Sequence, residues 1–181
     1  MDDAGRIAVA GAGIAGLTSA LQLARLGHDV DVYERATTLS EVGAGIQLSP
    51  NVGRLLSQLG LDAALDAHAV QPDSVQMRSG RDGRTIARVP LGDAALMRYG
   101  APYRVIHRAD LQRVLLDAVT ASPRLTLTLG ATILSASERD GGVTLELASG
   151  PRRAPLLVVA DGVWSTLRAA VNGVTARATG L

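Results

Sequence analysis

"RIAVAGAGIAG", Arg6 to Gly16, decides the fold. RIAVA, residues 6–10, is a short run that is wholly apolar after Arg6, the pattern of a buried strand. Gly11, Gly13 and Gly16 then fall at G-x-G-x-x-G spacing. Behind them, Ile14 to Leu26 carries Leu17, Leu21 and Ala24 on one helical face, and Gly27 supplies a C-terminal stop. HDVDVYE, His28 to Glu34, alternates polar and apolar residues and reads as a second strand. The spacing therefore predicts one β-α-β unit whose turn opens a helix, the context that gives the glycine pattern meaning.

The physical roles follow from size. Gly11 allows the tight turn, Gly13 lets backbone approach a pyrophosphate, and Gly16 lets the helix pack closely on the strand. Free N–H groups at the helix start, among them those around Ile14 and Ala15, add a partial positive charge for phosphates. Glu34 stands at the end of the second strand, where a carboxylate accepts hydrogen bonds from a ribose. The spacing does not separate NAD from FAD, since both contain ADP. Arg35 beside Glu34 suits a 2′-phosphate, the flank of an adenosine, or plain solvent exposure.

Composition bounds the rest. The chain has 181 residues, 47% of them hydrophobic, enough for one domain or one and a fraction. It has no Phe, one Trp and three Tyr, so Leu, Val, Ala and Ile must build the core. All 18 basic residues are Arg, against 17 acids, a net charge of +1 that offers no basic face for nucleic acid. With no Cys, disulfides and thiolate metal sites are excluded, which fits a reducing cytoplasm. Ile7 to Ala24 is uncharged and follows Arg6, like a signal-peptide core or short span. Its three glycines, with Thr18, Ser19 and Gln22, argue against targeting or membrane insertion.

Further along, residues 36–50 read as a loop and Asn51 to Leu59 as a helix behind Pro50. Residues 72–104 hold strand-like pieces, SVQMRS and TIARVPL, broken by Gly, Asp and Pro, and read as an excursion out of the first layer. Arg108 to Thr120 is an amphipathic helix through Leu111, Val114, Leu115 and Ala118. Residues 125–129, 131–138 and 143–148 read as strands, the last two a hairpin around Gly141-Gly142. "LLVVADGVWSTLR", residues 156–168, is a second strand, tight turn and helix opening. On its residues alone, Asp161-Gly162 there is a turn and helix N-cap. The three histidines, His28, His68 and His107, are scattered and read as structural.

Four stretches in order, "GAGIAGLTSALQLARLGHDVDVYER" (11–35), "GAGIQLSPN" (43–51), "YRVIHRADLQRVLLDAV" (103–119) and "LLVVADGVWSTLR", together resemble one family. It is the single-component FAD-dependent aromatic hydroxylases, the salicylate hydroxylase-like group A flavoprotein monooxygenases. The resemblance implies an α/β fold: a Rossmann-like FAD/NAD(P)-binding fold with a β-meander. It implies FAD as cofactor, NADH or NADPH as electron donor, and a small aromatic, phenolic acid-like substrate. It places Gln47 beside the isoalloxazine as a contact, Arg108 and Gln112 on the phosphate or ribityl chain, and Asp161 and Gly162 on the middle of FAD. The residues imply no metal and no proton-transferring side chain, and the protein positions the cofactor and excludes water.

Family chains run to about two domains' worth of sequence, with a second Gly-Asp segment and most of the substrate-side sheet downstream. The chain is therefore expected to be the N-terminal part of an FAD-binding domain, 1–181, truncated before the rest of the substrate domain. Residues 72–104 would contribute the first strands of the substrate-side sheet. As a portion it is expected to be inactive alone and to self-associate through exposed core. The alternative is a non-catalytic dinucleotide-binding remnant completed by a partner chain.

Overall fold

A computed structural model describes residues 5–39 and 43–174. The chain begins with β1 (Ile7–Ala10), α1 (Ile14–Arg25) and β2 (Val30–Glu34), the predicted β-α-β unit. Gly27 follows α1 with φ +95°, a left-handed stop that L side chains resist. Next come β3 (Gly45–Leu48), α2 (Pro50–Gln58), α3 (Asp62–Asp66), β4 (Ser74–Arg78), β5 (Thr85–Pro90), α4 (Gly92–Tyr99) and β6 (Arg104–His107). The helix α5 (Arg108–Ala121) leads to β7 (Leu125–Leu129), β8 (Ile133–Arg139), β9 (Gly142–Leu147), β10 (Arg152–Ala154), β11 (Leu157–Val159) and α6 (Arg168–Asn172).

The chain divides into two compact units, one of residues 1–40 with 115–181, the other of residues 41–114. The first is built on a four-stranded parallel sheet in the order β11-β1-β2-β7. Every residue of β1 is buried, as a central parallel strand covered on both faces requires. Ala8 and Ala10 face one side, packing with Ile133, Leu145, Leu147, Ala154 and Leu167. These belong largely to the antiparallel meander β10-β9-β8. On the other side, α1 packs against β1 and β2 with Leu17 fully buried. Each such Val or Leu contributes about 1.5–3 kcal/mol, so the core closes without phenylalanine. At the opposite edge from the glycine turn, Arg6 donates to the Asp31 carboxylate (2.7 Å), the carbonyls of Val30 and Arg124, and the Thr126 hydroxyl. One guanidinium thus ties the entries of β1, β2 and β7.

The second unit pairs β3 with β6 and β4 with β5, both antiparallel. Five elements are missing from the sequence reading: β3, α3, α4, β6 and β10. The stretch 36–50 contains β3, and 72–104 contains α4. A strand of four residues that starts on Gly45 has weak local propensity; the ladder to β6, Gly45 opposite His107 through Leu48 opposite Arg104, creates it. α4 ends in Gly100 at φ +73°, a left-handed cap. The helix α5 buries Leu111, Val114, Leu115 and Val119, one residue on from the anticipated Ala118, which is half-buried.

Arg104 is the charged centre of this unit. It is 2% exposed and donates to Asp66 (2.8 Å) and Asp62 (3.0 Å), pinning α3 to β6. Burial opposes the Arg104 charge, but the two carboxylates outweigh it and hold the group above its ordinary value. The Arg104 hydrogen bond holds the Asp66 carboxyl below the usual carboxylate range. A carboxylate whose folded value is depressed stabilises the fold above its unfolded value, near 3.8, and loses that contribution as pH falls through the folded value. Asp66→Asn is therefore expected to lower stability by about 0.5–1 kcal/mol at pH 7, modest because Asp66 is half-exposed. Thermal unfolding from pH 7 to pH 3 checks this: the gap to the parent should close below about pH 4. A gap independent of pH would mean that the carboxylate charge is not what holds α3.

Candidate functional site

Strand order places the site. β1 has β11 on one side and β2 on the other, and both neighbours run parallel to it. Chains leave such a sheet on opposite sides at this point, and ligands bind in the crevice outside the carboxyl ends of the strands. Those ends are Ala10-Gly11, Glu34 and Val159 to Asp161. The two strand–turn units read from the sequence are therefore neighbours: Ala10 pairs with Val159, and the Ala160 N–H donates to the Ala10 carbonyl at 2.8 Å.

The three glycines separate by what a Cβ would meet. At Gly11, φ is +99° and an added Cβ would lie 2.5 Å from the Ala160 carbonyl oxygen, so the first turn rests directly on the second. At Gly16 it would lie 1.8 Å from the Gly11 carbonyl oxygen, so α1 seats on the turn only without a side chain there. At Gly13 nothing lies within 4 Å. Two glycines are steric necessities of the protein, and the third faces open space at the start of α1. No acidic residue occupies the first turn of α1, so its positive end is left for an external anion.

Glu34 is anchored rather than free. Its Oε2 accepts from the Ala12 N–H at 2.7 Å and its Oε1 from the Ala36 N–H at 2.8 Å. The carboxylate thus clamps the glycine turn to the end of β2, and a carboxylate has about four lone-pair sites, so acceptor capacity remains. Arg35 is exposed. Asp161 is half-buried; its Oδ2 accepts from the Thr166 N–H at 3.2 Å, while its Oδ1 is buried with no partner among the described residues. The helix anticipated directly after Gly162 begins only at Arg168, with Leu167 as N-cap. Asp161 is therefore no helix cap. An irregular loop intervenes, held by Asp161 and by the Ser165 hydroxyl, which accepts from the Arg168 N–H at 2.9 Å. The Arg168 guanidinium donates back to the Val163 carbonyl at 3.1 Å. Ser165 and Arg168 were not singled out in the sequence, although both lie inside the quoted 156–168 stretch.

The other anticipated residues lie in the 41–114 unit. Gln47 sits exposed on β3 and accepts a hydrogen bond from the Tyr103 hydroxyl. Arg108 is exposed at the start of α5, and its N–H donates to the Ala44 carbonyl at 3.3 Å. A Cβ on Gly43 would lie 3.2 Å from the Arg108 Cβ, so the 43–45 loop runs against this arginine. Gln112, one turn on, is buried where Arg108 is exposed. His107 caps α5, its Nδ1 accepting from the Ala109 N–H at 3.3 Å.

Fold and site define a dinucleotide-binding α/β domain. The chain belongs to the FAD binding domain family, which it matches over residues 5–179. It is 46% identical over 176 residues to a 3-amino-4-hydroxybenzoate 2-monooxygenase of Streptomyces platensis, covering 97% of this chain and 44% of that protein. It is 37% identical over 175 residues to a 3-hydroxybenzoate 6-hydroxylase of Polaromonas naphthalenivorans, covering 96% of this chain and 44% of the relative. Among solved structures, Klebsiella pneumoniae HpxO complexed with FAD and uric acid superimposes with a TM-score of 0.82 at 30% identity, covering 94% of this chain and 42% of that one. The chain thus spans less than half the length of the relatives it matches, and these relatives are monooxygenases acting on small aromatic compounds. Among the described residues, no helix is long and apolar enough to cross a membrane, and no cluster of three or more His, Cys, Asp or Glu could hold a metal.

The residues present fit FAD. The open face at Gly13, the unfilled positive end of α1 and the unpartnered Asp161 Oδ1 each call for a ligand with phosphate and hydroxyl groups.

Proposed function

We propose that this chain forms the adenine-dinucleotide part of the cofactor site in an FAD-dependent hydroxylase of small aromatic acids, using NADH or NADPH and O₂. The carrying observation is Gly13, the one fingerprint glycine whose missing Cβ the protein itself does not require. In this reading the N–H groups of Gly13 to Gly16, Ile14 and Ala15 included, hold the pyrophosphate at the helix start. Glu34 keeps the turn in place and accepts from the ribose hydroxyls, with Arg35 flanking the adenosine. Asp161 Oδ1 takes a hydroxyl donor from the middle of the cofactor, Gly162 allows its approach, and Gln47, Arg108 and Gln112 serve the flavin end. Bound FAD would supply the redox chemistry that couples oxidation of the nicotinamide donor to insertion of one atom of O₂ into the ring, the other atom leaving as water. Residues 72–104 give the first strands of the substrate-side sheet; the exposed Val75, Met77, Ile86 and Val89 of the β4–β5 hairpin support this and support self-association of the chain by itself.

Equilibrium dialysis against FAD, ADP and FMN tests the reading. FAD and ADP should bind and FMN should not, because the fingerprint recognises the adenine end. Preference for FMN would overturn it, and binding of ADP with no advantage for FAD would favour a bare dinucleotide-binding remnant. Arg108→Ala should weaken FAD by about 1.5–3 kcal/mol, the scale of one charge-assisted hydrogen bond, and leave ADP unchanged. Equal loss for both ligands would place Arg108 elsewhere on the cofactor.

A further inference from the structure

Gln47 has a side chain whose two polar groups do opposite things. The amide oxygen accepts and the amide nitrogen donates, and an exposed glutamine can turn either toward a ligand. One contact decides between them: the Tyr103 hydroxyl donates to Gln47 Oε1. We infer that Tyr103 is a positioning residue for the flavin end of the site, fixing the Gln47 amide so that its N–H₂ group is the one presented to the cofactor. Gln47 serves the flavin end in the reading proposed above, on which this role of Tyr103 rests.

Register brings the two side chains together. In the β3–β6 ladder Gln47 lies opposite Val105. Side chains two apart on a strand share a face, so Tyr103, just ahead of β6, is the diagonal neighbour of Gln47, a separation that long and aromatic side chains span. The other face of the ladder carries the buried Leu48, Arg104 and Ile106. Gln47 therefore stands on the open face, where a ligand can reach it, with Tyr103 half-buried beside it.

The phenol is held from both sides along the chain. Pro102 before it has a fixed φ. A Cβ on Gly53 of α2 would lie 3.4 Å from the Ala101 Cβ and 3.5 Å from the Pro102 carbonyl oxygen, so α2 runs against this segment. Arg104 after it is buried and pinned to Asp62 and Asp66. Backbone fixed before and after Tyr103 gives its hydroxyl a set direction. An amide ordered in advance also loses less side-chain freedom on binding. The oxidised flavin ring offers carbonyl oxygens and unprotonated nitrogens as acceptors against a single ring N–H. A held N–H₂ suits those acceptors and favours the electron-rich reduced ring.

A double-mutant cycle of Tyr103→Phe and Gln47→Leu on the whole chain tests this. Equilibrium dialysis gives FAD and ADP affinities, and spectrophotometric titration gives the reduction potential of bound FAD. Tyr103→Phe should weaken FAD roughly threefold to tenfold, the scale of one neutral hydrogen bond, and leave ADP unchanged. It should also shift bound flavin toward the oxidised form by up to about tenfold at a given potential, equal to about 30 mV for two electrons. In the Gln47→Leu background the same substitution should do neither. A full effect of Tyr103→Phe in that background would overturn the inference, because the phenol would then act by itself or on the fold. So would an equal loss for ADP, a parent-like FAD affinity or potential in Tyr103→Phe, or a raised potential, which would mean that the amide oxygen faces the flavin. If the parent binds ADP and gains nothing from the rest of FAD, Gln47 has no flavin to serve, and the inference fails while the adenine site stands. Binding of neither ligand removes both.

Discussion

Gly16→Ala is expected to cost about 3 kcal/mol or more, because the added methyl falls on backbone and not on a side chain that can swing away. Its Cβ would lie 1.8 Å from the Gly11 carbonyl oxygen. Either α1 lifts from the sheet or the turn gives way. The turn is confined on its other side, since Gly11 itself sits against the Ala160 carbonyl. Lifting α1 uncovers Leu17 and Ala20, both with no exposed surface. At about 2–4 °C per kcal/mol for a chain of this size, the midpoint of thermal unfolding should fall by roughly 6–12 °C. Gly13→Ala is the matched control. Gly13 has φ −71° and ψ 179°, which any residue adopts, and open space around it, so its midpoint should stay near that of the parent. The comparison is read by far-UV circular dichroism on both variants. Equal midpoints for Gly16→Ala and the parent would mean that α1 does not seat on the turn as described.

The contrast between these glycines bears on what the sequence could reveal. The β1-α1-β2 unit was legible because its signals are local: an apolar run, spaced glycines, helical periodicity and an alternating strand. Glu34 was legible for the same reason, although its grip on the Ala12 and Ala36 N–H groups was not. The adjacency of Gly11 and Asp161 could not be read, because it depends on β1 pairing with β11 about 150 residues later, and parallel pairing has no local signature. β3 was hidden likewise, being a strand only through β6. α4 was missed for a different reason: Pro90 and Gly92 flag a break, and the Arg98 last turn and Gly100 cap that mark a helix end were readable but outweighed by neighbouring strand-like pieces. Arg104 looked like one of many arginines in a charged stretch. Nothing in its immediate sequence tells that Asp62 and Asp66, one helical turn apart, come to meet it.

Gly13→Val is expected to abolish FAD binding in a protein that still folds. The Gly13 backbone angles are accessible to valine, and no atom lies within 4 Å of the added Cβ, so the native packing has nothing to yield. The same emptiness is what a pyrophosphate needs, because N–H groups at a helix start reach phosphate oxygens only when the chain comes within hydrogen-bond distance. Branched carbons at Gly13 hold the phosphates off by more than that distance and put apolar surface against a charged group. Several charge-assisted hydrogen bonds to phosphate then fail together, each about 1.5–3 kcal/mol, so affinity should drop by at least roughly a hundredfold, or about 2.8 kcal/mol. Flavin fluorescence titration gives the affinity, and thermal unfolding without flavin gives the stability, which should change by less than about 1 kcal/mol. The two readings together separate a ligand-facing glycine from a structural one. Parent-like FAD affinity in a folded Gly13→Val protein would remove the glycine turn from the cofactor site, and the assignments of Glu34 and Asp161 would go with it, since both were placed by their position around that turn.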